Sequence, residues 1–181
     1  MSVRTKAAVL TVTAALAAGV GLTAVPAAAS ISQGYISGGG PIADDWTDEG
    51  TLSSSSHSRS NATALLQQIL WAEGVKESNG TAFDYSDIDG KYGANTTYAV
   101  KQLQKLYNRD FGAGLTVDGK AGKKTLGFAS RNFLFDGGAG KVDYIGEKHV
   151  VTFKRSSGKY QLKVNNTRGW KVASYNTLNV V

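Results

Sequence analysis

One eight-residue pattern occurs twice in this chain, with five of its positions identical. Asp89-Gly90-Lys91-Tyr92-Gly93-Ala94-Asn95-Thr96 and Asp118-Gly119-Lys120-Ala121-Gly122-Lys123-Lys124-Thr125 share the pattern D-G-K-x-G-x-x-T. Asp-Gly makes a tight turn, because glycine enters backbone conformations closed to other residues. The second glycine of each copy, Gly93 or Gly122, falls at a helix-cap position. Thr96 and Thr125 then stand near the third helical residue, where a hydroxyl can reach back to the loop as in a capping box. Asp89 and Asp118 are placed to accept hydrogen bonds from loop N–H groups. The repeat therefore predicts two helix-starting turns and needs no ligand to explain it.

The apolar spacing agrees. Ala99, Val100, Leu103, Leu106 and Tyr107 form the stripe of a helix from Ala94 to about Tyr107. Leu126, Ala129 and Phe133 line one side of a shorter helix that begins near Lys123. Upstream, Leu65, Leu66, Ile69 and Leu70 mark a first helix, with Asn61 as its cap and Gly74 as its stop. Three such helices over 61–135 can just bury a shared core. Gly137-Gly138-Ala139-Gly140 breaks the pattern, and the apolar period then becomes two. His149–Arg155 and Lys159–Val164 read as strands joined by Ser156-Ser157-Gly158, with Gly169–Ala173 and Leu178–Val181 as further candidates. The expected class is mainly α: a three-helix bundle, then a small basic antiparallel β segment over 141–181. So short a sheet is seldom stable alone, so it is expected to pack on the helices or on a partner chain.

With both turns placed, a resemblance becomes specific. The run from Asp89 through Ala99-Val100-Lys101-Gln102-Leu103-Gln104, followed by Leu115-Thr116-Val117 and the second D-G-K-x-G-x-x-T turn, resembles the peptidoglycan-binding domain family. Leu65, Leu66 and Gln67, with Gly74, are similar to that family's opening helix. The resemblance covers residues 61–130 or so and implies a three-helix fold held on the bacterial cell wall, as in secreted actinobacterial wall proteins. The stretches 74–89 and 107–115 are longer than usual for the family, and Lys123 stands where proline is common.

The flanks add context. Arg4 and Lys6, an apolar run from Ala7 to about Val25, and Pro26-Ala27-Ala28-Ala29 read as a secretory signal over 1–29. Residues 30–60 hold Gly38-Gly39-Gly40-Pro41, an acidic patch around Trp46 and a serine run, and read as a flexible leader. Residues 30–140 carry 10 basic and 12 acidic groups, whereas 141–181 carry 8 and 2. The basic tail is a candidate contact for an anionic wall polymer. Nucleic acid is not expected as a partner of an exported chain, nor is a membrane after signal cleavage.

Peptidoglycan presents sugars, amides and peptide carboxylates. Against that chemistry the candidate contacts are Asp89, Tyr92, Thr96, Tyr98, Asp118, Lys123, Lys124 and Thr125, with the two aspartates read as structural first. Lys123 and Lys124 begin a helix, where cations oppose the dipole unless an anion sits among them. No catalytic centre is legible. The chain has no cysteine and two histidines, His57 and His149, too few for a thiol nucleophile or a zinc amidase site. There is no G-x-S-x-G elbow, and Gly122-Lys123-Lys124-Thr125 lacks the upstream glycine of a phosphate-binding loop. The expectation is a secreted, non-enzymatic peptidoglycan binder without metal or cofactor. The alternatives are a wall hydrolase, or an accessory or inhibitor of one.

Overall fold

The computed structural model describes residues 33–165 and 168–181. The expected signal over 1–29 lies outside them. The first helix, α1 (Asn61–Glu73), has 12 buried residues out of 13, so it is the central rod of the molecule rather than an amphipathic surface helix. Both its ends are closed by other segments. Ser60, not Asn61, is the N-cap: its hydroxyl accepts from Thr63 N at 3.0 Å. Asn61 instead ties down the chain's last residues. Its N–H donates to Thr177 O at 2.7 Å, and its side chain exchanges bonds with Asn179. Ala62 N donates to Ser174 O at 3.0 Å. At the other end Gly74 takes the left-handed conformation (φ 64°), as expected of a stop.

Helices α2 (Ala94–Phe111) and α3 (Lys123–Phe133) start directly after the two repeat turns, with Gly93 and Gly122 as N-caps. The stripe Ala99, Val100, Leu103, Tyr107 is buried as its spacing requires. α2 runs one turn beyond Tyr107, to a left-handed Gly112. Asn108 makes this stop firm, bonding Leu115 N and O with its side chain.

The fold is not mainly α, because the C-terminal third is a substantial sheet. Five strands, β1 (Leu134–Gly138), β2 (Lys141–Ile145), β3 (Val150–Ser156), β4 (Lys159–Leu162) and β5 (Lys171–Val172), form one antiparallel meander in sequence order. The glycine-rich break at 137–140 is its first hairpin, not a linker. Ala139 and Gly140 (φ 52° and 72°) and Ser157 and Gly158 (φ 52° and 70°) each form a two-residue loop with both φ positive, the geometry that matches strand twist. Leu178–Val181 does not form a strand. One face of the sheet, with Val142, Tyr144, Val151, Phe153, Tyr160 and Leu162, joins the helices in a single apolar core. Residues 141–181 thus contribute to a shared core, packed on the helices as expected of so short a sheet. The β2–β3 turn closes the C-terminal end of α1: Lys148 N and His149 N both donate to Ala72 O, at 2.8 and 3.0 Å.

The leader departs furthest from expectation. Read as a flexible tether, it is instead packed over 33–60, with Ile36, Trp46 and Leu52 wholly buried. Trp46 sits edge-on against Tyr160 (5.3 Å) and Phe153 (5.9 Å). Two of its four acids, Asp45 and Glu49, are buried with partners far along the chain. Asp45 pairs with Arg155 at 2.9 Å and accepts from the Tyr160 hydroxyl at 2.7 Å. Glu49 accepts from Tyr175 Oη and from Ser37 N, both at 2.6 Å. Local composition reads such residues as solvated, because most of the groups that satisfy them are more than a hundred positions away.

Candidate functional site

The two repeat turns are built by one device used twice. Gln67 on α1 reaches into the first turn: its amide donates to Asp89 Oδ1 (2.9 Å), Lys91 O (3.1 Å) and Thr96 Oγ1 (3.2 Å), while its oxygen accepts from Gly90 N at 2.7 Å. Gln104 on α2 does the same in the second turn, donating to Asp118 Oδ1 (3.0 Å), Lys120 O (2.9 Å) and Thr125 Oγ1 (3.3 Å), and accepting from Gly119 N at 2.9 Å. Both glutamines are about 1 % exposed. Each aspartate also accepts from the N–H two residues on, Lys91 or Lys120, at 2.8 and 2.9 Å. Desolvation opposes ionisation of Asp118, but the bonds from Gln104 and the Lys120 backbone prevail and hold its carboxyl below the usual range.

This network occupies four of the expected contacts. Asp89, Thr96, Asp118 and Thr125 are engaged inside the turns, the two threonines being buried. Tyr92 is a correction: as a ligand contact it would need exposure, yet it is buried and its hydroxyl donates to Gly119 O at 2.8 Å, fastening the first turn to the second. Burial, with the Asp118 charge adding, pushes its phenol well above the ordinary value. Lys123 and Lys124 are exposed at the start of α3, apart from the groove at the first turn. Tyr98, 38 % exposed, is the expected contact that lines that groove.

The leader makes the two turns unequal. It runs along both: Leu52 and Ala121 exchange N–H···O bonds at 2.9 and 3.0 Å, and Tyr92 N donates to Ser58 O at 2.7 Å. At the second turn a methyl on Gly122 would stand 2.9 Å from Thr51 Oγ1, so the leader lies over that helix start. At the first turn a methyl on Gly93 would meet nothing. There a groove of about 540 Å³ opens, lined by Ser54, Ser78, Gly93, Ala94, Thr97, Tyr98 and Lys101. Gly93 has no side chain to cap the helix, so the first N–H groups of α2 are left for an external acceptor beside the groove. The groove combines one aromatic ring, a cation and three hydroxyls, and no acid lines it. Residues 59–128 match the family model of the putative peptidoglycan binding domain.

The peptidoglycan-binding-type segment therefore comprises α1, α2, both turns and the first half of α3. The leader before it and the sheet after it lie outside the match. No curated protein and no solved structure matches the chain. Ser54, Ser78, Thr97 and Lys101 were not legible as site residues. Ser54 and Ser78 come from segments distant in sequence, and Thr97 and Lys101 gain meaning only beside Tyr98 on the turn-facing side of α2. The glutamines carried a weak signal, since Gln67 and Gln104 each stand on a helix preceding a D-G-K turn.

Proposed function

We propose that this chain is an exported protein that binds bacterial peptidoglycan non-covalently and does not cleave it. The observation that carries the reading is the groove at the start of α2, inside the segment that matches the peptidoglycan-binding family. The Tyr98 ring offers a face for a sugar or an acyl group. Lys101 and the uncapped N–H groups of α2 offer a site for a stem-peptide carboxylate, and Ser54, Ser78 and Thr97 line the groove with hydroxyls able to bond amides.

The placement of the acids supports binding without hydrolysis. Glycoside cleavage needs a pair of carboxyl groups facing one cleft. Of the four buried acids, Asp45, Glu49 and Glu73 are held by tyrosine hydroxyls in the interior, and Glu77 accepts from the Thr81 hydroxyl within its own loop. The test is sedimentation of the mature protein with purified sacculi while soluble fragments are monitored. Binding without release is expected. The double variant Tyr98→Ala/Lys101→Ala should lose about tenfold or more in affinity, roughly a 1.4 kcal/mol effect, with its unfolding transition unchanged. Fragment release, or full retention of binding by the variant, would overturn the reading.

A further inference from the structure

The solvent face of the sheet is a strongly one-sided charged surface. Alternation sends Val142, Tyr144, Val151, Phe153, Tyr160 and Leu162 inward, which leaves Lys141, Asp143, Thr152, Lys154, Lys159 and Gln161 outward on β2, β3 and β4, with the apolar pair Ile145 and Val150 at one end of that face. Lys163 follows β4 between buried Leu162 and Val164 and continues the outward set. Four lysines thus share a face with one acid.

The strand register packs them tightly. Lys154 lies directly opposite Lys141 on β2 and opposite Gln161 on β4. Lys159 stands two residues before Gln161 and is a diagonal neighbour of Lys154, at roughly 7–8 Å, and Lys163 follows just past the end of β4. Like charges directly opposed across strands are destabilising. The single acid offsets them only in part: Asp143 faces Thr152, whose hydroxyl donates to it at 2.5 Å, and it is one charge against four. Among the described residues none of the four lysines forms an ion pair. Lys159 Nζ stands over the Tyr35 ring at 4.5 Å, which fixes its position and keeps its charge. A polyanion laid across such a cluster relieves the repulsion.

We propose that this face docks a linear polyol-phosphate polymer of the cell wall. The charge complementarity is to a run of phosphodiesters. Two features choose among polyanions. The aromatic rings of β2, β3 and β4 (Tyr144, Phe153 and Tyr160) all point into the core, and the rings at the margins, Phe135 beside Asp143 and Tyr35 under Lys159, do not form a row on which successive nucleobases could stack. The charges are lysines, compact point charges suited to successive phosphates, with no arginine fork among them. The choice of a wall polymer over other phosphate chains rests on the peptidoglycan reading; the lysine cluster does not.

The experiment titrates the full mature chain with soluble poly(glycerol phosphate), and separately with sacculi before and after phosphodiester polymer is stripped. The wild type is expected to bind the soluble polymer, with affinity falling steeply between about 50 and 200 mM salt. The variant Lys141→Gln/Lys154→Gln/Lys159→Gln/Lys163→Gln should lose about tenfold or more for the polymer and keep its affinity for stripped sacculi. Arginine at the same four positions should retain polymer binding, showing that a folded sheet with the charges suffices. The control Lys76→Gln/Lys91→Gln/Lys105→Gln/Lys120→Gln removes the same charge from exposed sites elsewhere and should bind normally. Equal loss in both glutamine sets would mean net charge alone acts, and would overturn the site. Equal affinity for single-stranded DNA, or for vesicles of one part phosphatidylglycerol to three of phosphatidylcholine, would overturn the wall polymer as occupant. Failure of the peptidoglycan reading has a separate signature: no binding to stripped sacculi while the polymer response stands.

Discussion

Replacing Gln67 by glutamate changes one NH2 group for an oxygen and leaves the shape intact, yet it should be among the most damaging substitutions in the chain. The Gln67 amide donates to three acceptors, Asp89 Oδ1, Lys91 O and Thr96 Oγ1, and the site is closed to water. An ionised glutamate turns those contacts into oxygen facing oxygen, beside the Asp89 carboxylate. Alanine at the same place leaves the buried Gly90 N without its acceptor, whereas Lys91 O keeps Gly93 N and the Thr96 hydroxyl as donors. At about 1–3 kcal/mol for a buried group left unsatisfied, Gln67→Ala should cost on the order of 1–3 kcal/mol. Gln67→Glu should cost at least as much near neutral pH. That is a large share of the roughly 5–15 kcal/mol that holds a domain folded. Urea unfolding followed by circular dichroism measures it as a shift in midpoint at constant slope. The glutamate variant carries its own control: once protonated in acid its O–H can donate again, so its deficit should shrink as pH falls, whereas the alanine deficit should not. A glutamate variant as stable as wild type at pH 7 would refute the account of the turn as a donor-dependent clamp.

Three further perturbations probe the segments around it. Trp46→Ala should cost about 3–5 kcal/mol in the same assay, since a wholly buried ring is removed. Trp46→Phe should cost much less, because the indole N–H has no partner to lose; equal losses would contradict the docked leader. Burial raises the Glu49 carboxyl from 4.5 to about 7 and Asp45 from 3.8 to about 6, against the bonds from Tyr175 and Tyr160 that lower them. The native state therefore holds these protons more tightly than the unfolded chain. Their contribution to stability is full below about pH 4 and is lost as pH rises through 6 to 7. For Glu49 the change is on the order of 2 kcal/mol after partial screening. Thermal unfolding from pH 4 to 8 should show the decline, and Glu49→Gln should flatten it. Gly146→Ala should cost about 1–3 kcal/mol by calorimetry, because the added methyl would meet Ala72 O at 2.3 Å where the β2–β3 turn closes α1.

The local chemistry of the chain determined a good deal. Asp-Gly turns, glycine caps and threonines three residues into a helix act through neighbours in sequence, so both helix starts, the buried stripe of α2 and the Ser157-Gly158 hairpin were legible in the sequence alone. The resemblance carried by the repeat was legible for the same reason. Tertiary structure alone decided what lies between such units. The Tyr92 ring could read as exposed or buried until Gly119 O stood beside its hydroxyl. The leader's glycines, serines and acids are those of a solvated tether, and Asp45 and Glu49 become interior only because Arg155, Tyr160 and Tyr175 meet them across the fold. The same leader covers the helix start at one repeat turn and leaves the other open, so two turns of one pattern end with different access to solvent. Burial of a polar group depends on a partner that closes the bond. Where that partner is a few residues away the sequence shows it, and where it is a hundred away only the folded chain does.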